Sequence, residues 1–137
     1  MPPAGGSGTV SAGVAGAAAA GDLDPTFGAG GKQAFPFAGV PNEVLVQPDG
    51  KIVLAGIDAN LDFAVWRLTP DGALDRSFDD DGSVAITFGG QDEIKAAALQ
   101  PDGKIVVAGT THSPPALTSA AARLRHRDRA AEPQRIA

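Results

Sequence analysis

The side chains able to do chemistry in this chain are few, and they do not converge. Asp79-Asp80-Asp81-Gly82 is the densest run of carboxylates, and calcium takes several carboxylate and carbonyl oxygens from a flexible loop. The spacing is not that of an EF-hand, so a solvated turn is expected, with a weak cation site as the alternative. His112 and His126 stand 14 residues apart, without the spacing of metal ligands or an anchor for a general base. None of Ser7, Ser11, Ser77, Ser83, Ser113 and Ser119 lies in a Gly-x-Ser-x-Gly elbow, so an acyl-enzyme has no nucleophile. Gly28-Ala29-Gly30-Gly31 lacks the spacing of a phosphate-cradling loop and no helical pattern follows it, which leaves these glycines as turn residues. Trp66 and Arg67 form the one pairing typical of a binding hot spot. The competing reading puts Trp66 in the core between sheets, while Arg67 covers apolar surface with its stem or pairs with an acid of a neighbouring turn. The sequence thus predicts no catalytic residue, no cofactor-binding residue, no cofactor and no metal ligand.

Composition limits the elements that could position such residues. Of 137 residues, 18 are Gly and 11 are Pro, which argues against a compact all-helical domain. The chain is acidic, with a net charge of -5, and 43% of it is apolar, as in a globular domain. There is no cysteine, so disulfide scaffolds and thiolate-bound metals are excluded, and no apolar run approaches the roughly 20 residues of a membrane-spanning helix. Residues 123–137 carry five arginines against Asp128 and Glu132, a net of +3, which leaves -8 on residues 1–122. Such a body repels nucleic acid and anionic membrane, so neither is expected as a partner. The basic tail, 125–137, has no aromatic residue for base stacking and is expected to be disordered. Residues 1–21 are built almost wholly of Gly, Ala, Ser, Val and Pro before the first acid at Asp22. They read as a disordered leader, or as a degraded signal peptide whose small-residue run at 17–21 resembles a cleavage region.

Between these ends lies an internal repeat. The ten residues 47–56, Gln-Pro-Asp-Gly-Lys-Ile-Val-Leu-Ala-Gly, return at 100–109 with nine identities at an offset of 53. Leu23-Asp24-Pro25-Thr26-Phe27, followed by Gly31, returns as Leu74-Asp75-Arg76-Ser77-Phe78, followed by Gly82, at an offset of 51. The acids of Asp79-Asp80-Asp81 answer to Gly28-Ala29-Gly30 in the first copy, so they are not part of the repeat. The first repeat spans 22–73 and the second 74–124, irregular after 112.

Each repeat reads as short strands and turns. In the first, strands are expected at 32–37, weakly, and at 43–47, 51–57 and 62–68. Pro48 presets position i+1 of a type I turn, Asp49 suits i+2, and Gly50 can adopt the left-handed conformation of a G1 bulge. Pro101-Asp102-Gly103 repeats this turn, and Pro70-Asp71-Gly72 places it after the fourth strand. Ile52 and Leu54 alternate with Val53 and Ala55, and Phe63 and Val65 with Ala64, Trp66 and Leu68, so both faces of each strand are apolar and want cover. Four antiparallel strands, a period near 50 and double-sided burial describe a propeller blade. A β-sandwich is the alternative. The fold class expected is all-β, with two four-stranded antiparallel propeller-type blades forming a fragment of a larger β-propeller.

Leu-Asp-x-x-Phe-Gly at 23–28, Gln-Pro-Asp-Gly-Lys-Ile-Val at 47–53, Phe-Ala-Val-x-Arg-Leu at 63–68 and Pro-Asp-Gly-x-Leu-Asp-x-Ser-Phe at 70–78 resemble the bacterial delta-60 repeat, a β-propeller repeat. The resemblance covers residues 22–109. It implies a secreted or cell-surface protein of many repeats, and it supplies no catalytic residues. The chain then departs from the pattern. Ala121-Ala122-Arg123-Leu124 keeps a remnant of the Arg-Leu strand, Pro114-Pro115 interrupts a regular strand start, and Arg125-His126-Arg127-Asp128-Arg129 stands where a Pro-Asp-Gly turn would be. An Arg-, Ala- and Pro-rich ending of this kind is what a shifted reading frame in a GC-rich gene would produce.

Two functions follow as expectations: a non-enzymatic propeller module giving a structural or binding surface to an unknown ligand, or a fragment of an extracellular polysaccharide-active propeller enzyme. The repeated acids lie mainly in Pro-Asp-Gly turns, which favours the first. Two repeats are few for a fold that stacks sheets. Several of Ile52, Leu54, Phe63, Val65, Ile105 and Val107 are therefore expected on open outer faces, with self-association through open sheet edges.

Overall fold

The computed structural model describes residues 19–35 and 38–125. The leader at 1–18 and the tail from 126 lie outside the described residues, and His126 with them. The chain divides into two units, Met1–Lys32 and Gln33–Ala137.

In the first unit, Leu23–Gly31 folds as a tight turn-rich segment. The Asp24 carboxylate accepts hydrogen bonds from the Thr26 N–H (2.9 Å) and hydroxyl (2.7 Å), and Gly31 N–H closes on the Phe27 carbonyl at 2.8 Å. An Asx turn of this kind needs no neighbouring strand.

Among the described residues the second unit is all-β, with seven strands: β1 (Gly39–Val46), β2 (Ile52–Asp58), β3 (Phe63–Leu68), β4 (Ser83–Ile86), β5 (Gln91–Leu99), β6 (Ile105–Ser113) and β7 (Ala116–Leu124). They form a four-stranded sheet of order β1-β2-β3-β4 and a three-stranded sheet of order β5-β6-β7, antiparallel throughout. The repeat and the sheet are out of phase by one strand. β4 comes from the second repeat yet pairs with β3, Phe63 opposite Ile86 and Trp66 opposite Ser83. Its counterpart at 32–37, expected as a weak strand, is not one: Lys32 makes only an isolated bridge to Ala29, 33–35 join no ladder, and 36–37 lie outside the described residues. A strand exists only where a neighbour satisfies its backbone, and among the described residues no β3-like strand flanks 32–35.

The β1–β2 and β5–β6 hairpins share one construction. Gln47 and Lys51 close the first (Gln47 N–H to Lys51 O, 2.8 Å), with Gly50 N–H on the Gln47 carbonyl at 2.8 Å, and Gln100, Gly103 and Lys104 repeat both bonds at 2.8 Å. Gly50 and Gly103 both have φ of 89°, which a Cβ would make costly. Beyond the turn, each ladder carries a register shift, between Pro41 and Glu43 and between Ile94 and Ala96. Opposite it stands Gly56 or Gly109, where a Cβ would collide with the Val40 or Glu93 carbonyl oxygen. Glycine is required there by the close approach of two backbones.

Past residue 112 the described chain turns back as a further strand. β7 pairs with β6 over its whole length, from Ser113 opposite Ala116 to Ile105 opposite Leu124. Pro114 and Pro115 are the two connecting residues, where no ladder N–H is required.

The two sheets share one core. Val53, Ala55, Phe63, Val65 and Phe78 of the first side meet Ile94, Ile105 and Val107 of the second, with Val84, Ile86, Leu99 and Leu124 packed around them. Phe63, Val65, Ile105 and Val107 are fully buried in the shared core, which corrects the expected exposure of these four: the chain's own second sheet supplies their cover, while Ile52 and Leu54 lie half-buried on the outer face of the first sheet. The exposed apolar residues are others, among them Val44 and Val46 on the outer face of β1, at 56% and 63% exposure.

Candidate functional site

The motif Leu74-Asp75-Arg76-Ser77-Phe78 builds a buried charge cluster against the first sheet. Arg67, on the core-facing side of β3, is 1% exposed. Its Nε donates to Asp75 Oδ2 at 2.9 Å, and Lys51 Nζ reaches the same oxygen at 3.2 Å. Asp75 Oδ1 accepts from the Ser77 hydroxyl (2.5 Å) and N–H (3.1 Å), and the guanidinium lies 4.6 Å from the centre of the Phe78 ring. Burial pushes the Asp75 carboxyl up, but the Ser77 hydroxyl, Lys51, the Ser77 N–H and Arg67 together outweigh it and hold the group at about 2. A carboxylate so fully committed is a structural ion pair and has no lone pair directed at solvent.

The remaining acids of the repeat are spent on turns. Asp49 and Asp102 accept from the N–H of Lys51 (3.0 Å) and Lys104 (3.1 Å), and the Lys104 N–H lowers the Asp102 carboxyl. Asp71 accepts from the Thr69 hydroxyl, which holds its carboxyl low, while Gly72 N–H closes the Pro70-Asp71-Gly72 turn on the Thr69 carbonyl at 2.9 Å. Pro48, Pro70 and Pro101 are exposed at the corners of these turns.

Trp66 and Arg67 do not converge on a surface. Adjacent strand residues point to opposite faces, and both are buried, Trp66 at 3%. Trp66 lies on the face of β3 away from the shared core, where its ring occupies the space a Cβ on Gly39 would need. It lines a shallow depression of about 280 Å³ with Asp58, Asn60, Ala64 and Ala85. Asp79, Asp80 and Asp81 are exposed in a turn, the first two with φ of 50° and 70°, a conformation Asp tolerates. Asp81 accepts from the Ser83 N–H at 3.0 Å. Among the described residues no three His, Asp or Glu side chains are placed to hold one metal ion. His112 is exposed on β6, opposite Gln91 and Leu117.

A groove that sequence reasoning missed lies at one end of the sheet pair. It encloses about 310 Å³ and is lined by Ile57 of β2, by Leu61 of the β2–β3 loop and by Asp92, Glu93, Thr110 and His112 of the second sheet. Asp92 is fully buried. Its N–H donates to the Leu61 carbonyl at 2.7 Å and its Oδ2 accepts from the Phe88 N–H at 2.8 Å, so it ties together loops of both sheets. Its Oδ1, and the hydroxyl of Thr111 directly across the ladder, are buried without a hydrogen-bond partner. Unmet buried polar atoms are costly. No spacing in the sequence marks Asp92; at the repeat offset of 53 it answers to Gly39.

Comparison with known proteins agrees with this architecture. No curated protein and no solved structure matches the chain. A family model described as "Domain of unknown function (DUF5122) beta-propeller" matches residues 47–78 and 100–124. These segments hold both Gln-Pro-Asp-Gly-Lys hairpin turns, β2, β3, the Asp75 cluster, β6 and β7, and the match supports a β-propeller repeat family for the two sheets.

Proposed function

We propose that this chain is a non-enzymatic β-propeller module of the delta-60 type, offering a structural or binding surface outside the cell. The observation that carries the reading is the use made of the repeat's charges. Asp75, Arg67 and Lys51 hold the Phe78 turn to the sheet, and Asp49, Asp71 and Asp102 hold turns. Acids spent in this way carry folding, not proton transfer. The groove lined by Asp92, Glu93, Thr110 and His112 is the candidate binding surface.

The polysaccharide-active alternative requires two carboxylates converging across a glycosidic bond. Asp92 and Glu93 both line the groove, but they are consecutive on β5 and so leave the strand on opposite faces. The test is release of reducing ends from a panel of soluble polysaccharides by the purified chain. No release above the blank is expected. Turnover that disappears on Asp92→Asn or Asp75→Asn would establish the enzymatic reading instead.

A further inference from the structure

The two sheets stack in one sense, and this leaves complementary ends. Ile52 corresponds to Ile105 and Val53 to Val106 at the repeat offset of 53. In the first sheet Val53 faces the shared core, whereas in the second Ile105 and Val107 do. The outer face of the second sheet, with Val106 and Ala108, is therefore the same kind of face that the first sheet turns inward. The outer face of the first, with Val44, Val46, Ile52 and Leu54, is the kind that the second turns inward.

The charges repeat this complementarity. Arg67 stands opposite Val53 on the ladder and Arg123 opposite Val106, so Arg123 and Lys104 are the counterparts of Arg67 and Lys51. In the first sheet the Arg–Lys pair binds the Asp-x-Ser-Phe turn, with Arg67 N–H bonded to Gly82 O (3.0 Å) and Asp75 N–H to Arg67 O (2.8 Å). In the second sheet β7 is the edge strand. Arg123 is exposed and makes a long hydrogen bond to Gln100 Oε1 at 3.3 Å, and Lys104 is 45% exposed beside Asp102. Conversely, Leu23–Gly31 reproduces the geometry of the Asp75 turn bond for bond: Thr26 on Asp24 as Ser77 on Asp75, and Gly31 on Phe27 as Gly82 on Phe78. Yet Asp24 is exposed and pairs with no cation among the described residues.

We propose that copies of this chain associate head to tail, the Asp24-x-Thr-Phe turn of one copy docking on Arg123 and Lys104 at the β7 edge of a second. Asp24 takes the place of Asp75 between the arginine and the lysine, and Phe27 lies under the Arg123 guanidinium. Arg123 N–H and C=O, at an edge that no strand among the described residues pairs, bond Gly31 O and Asp24 N–H. Residues 32–35, the counterpart of β4, supply the fourth strand of the second sheet. The interface is heterologous, so it closes to a ring or continues as a filament; a closed ring of about four to eight sheets needs roughly two to four copies.

Sedimentation and light scattering on the full chain test this with Asp24→Arg and Arg123→Asp, both changes at exposed residues, with far-UV circular dichroism reporting that each variant is folded. The wild type is expected to associate with rising concentration. Each variant alone is expected to weaken association by about 30-fold or more, the effect of breaking one partner of a desolvated charge pair. Mixing the two variants presents every turn with an opposite charge and is expected to restore association. A wild type that stays monomeric at millimolar concentration, variants that associate like the wild type through unspecific edge pairing, or a mixture that fails to reassociate would each overturn the proposal. Reducing-end release plays no part in this test, so its outcome is independent of the reading of the Asp92 groove.

Discussion

Asp75 is where a single side chain most affects this molecule. Arg67 is buried beneath it, so Asp75→Ala removes one partner of a buried ion pair, and a loss of about 3–5 kcal/mol is expected in urea unfolding. The sign of the pH dependence follows from the direction of the shift. The folded carboxyl is held at about 2 against an ordinary 3.8, so the pair's stabilisation is complete above about pH 4. It is lost as pH falls from there through 2, by roughly 2 kcal/mol in all. Unfolding midpoints measured at pH 5, 3 and 2 should fall in that order, and Asp75→Asn should flatten this component of the profile. The sequence allowed that Arg67 pairs with an acid of a neighbouring turn, but which acid was beyond it. Asp71, Asp75 and Asp79 are all close in the chain, and only the return of the chain from β3 brings Asp75 to the guanidinium.

At the scale of the element, the hairpins separate two demands on glycine. Gly50 must hold a φ of 89°, so Gly50→Ala should cost about 1–2 kcal/mol. Gly56 must let the bulged β1 backbone pass, and a Cβ there meets the Val40 carbonyl. Gly56→Ala should therefore cost more than Gly50→Ala, because backbone and not a mobile side chain has to give way; equal midpoints in thermal unfolding would show that the bulge relaxes freely. The turns were legible because Pro-Asp-Gly encodes its own local geometry. The bulges were not, since Asn42 and Lys95 carry no local mark of the partner strand they slip against. Nor was β4: four residues from Ser83 to Ile86 become a strand only by lying beside β3, and the same repeat position at 32–35 does not.

Across the whole molecule, the packing of one sheet on the other decides which apolar residues matter. Ile105→Ala should cost about 2–5 kcal/mol as a cavity in the shared core, whereas Val44→Ala, at 56% exposure, should change the stability of the dilute chain by no more than about 0.5 kcal/mol. Guanidinium titrations of the two variants compare these directly, and a Val44 effect that grows with protein concentration would report the outer face becoming covered. By itself the sequence determined the β class, the repeat, the three Pro-Asp-Gly turns and the double-sided apolar strands, because these are written in near-neighbour chemistry and a period of two. Tertiary structure alone decided that the sheets stack in one sense, that β4 crosses the repeat boundary, and that Asp92 is buried at the mouth of a groove. Each of these depends on which distant backbone satisfies a strand's hydrogen bonds and which distant face excludes its water, and neither is fixed by residues adjacent in the chain.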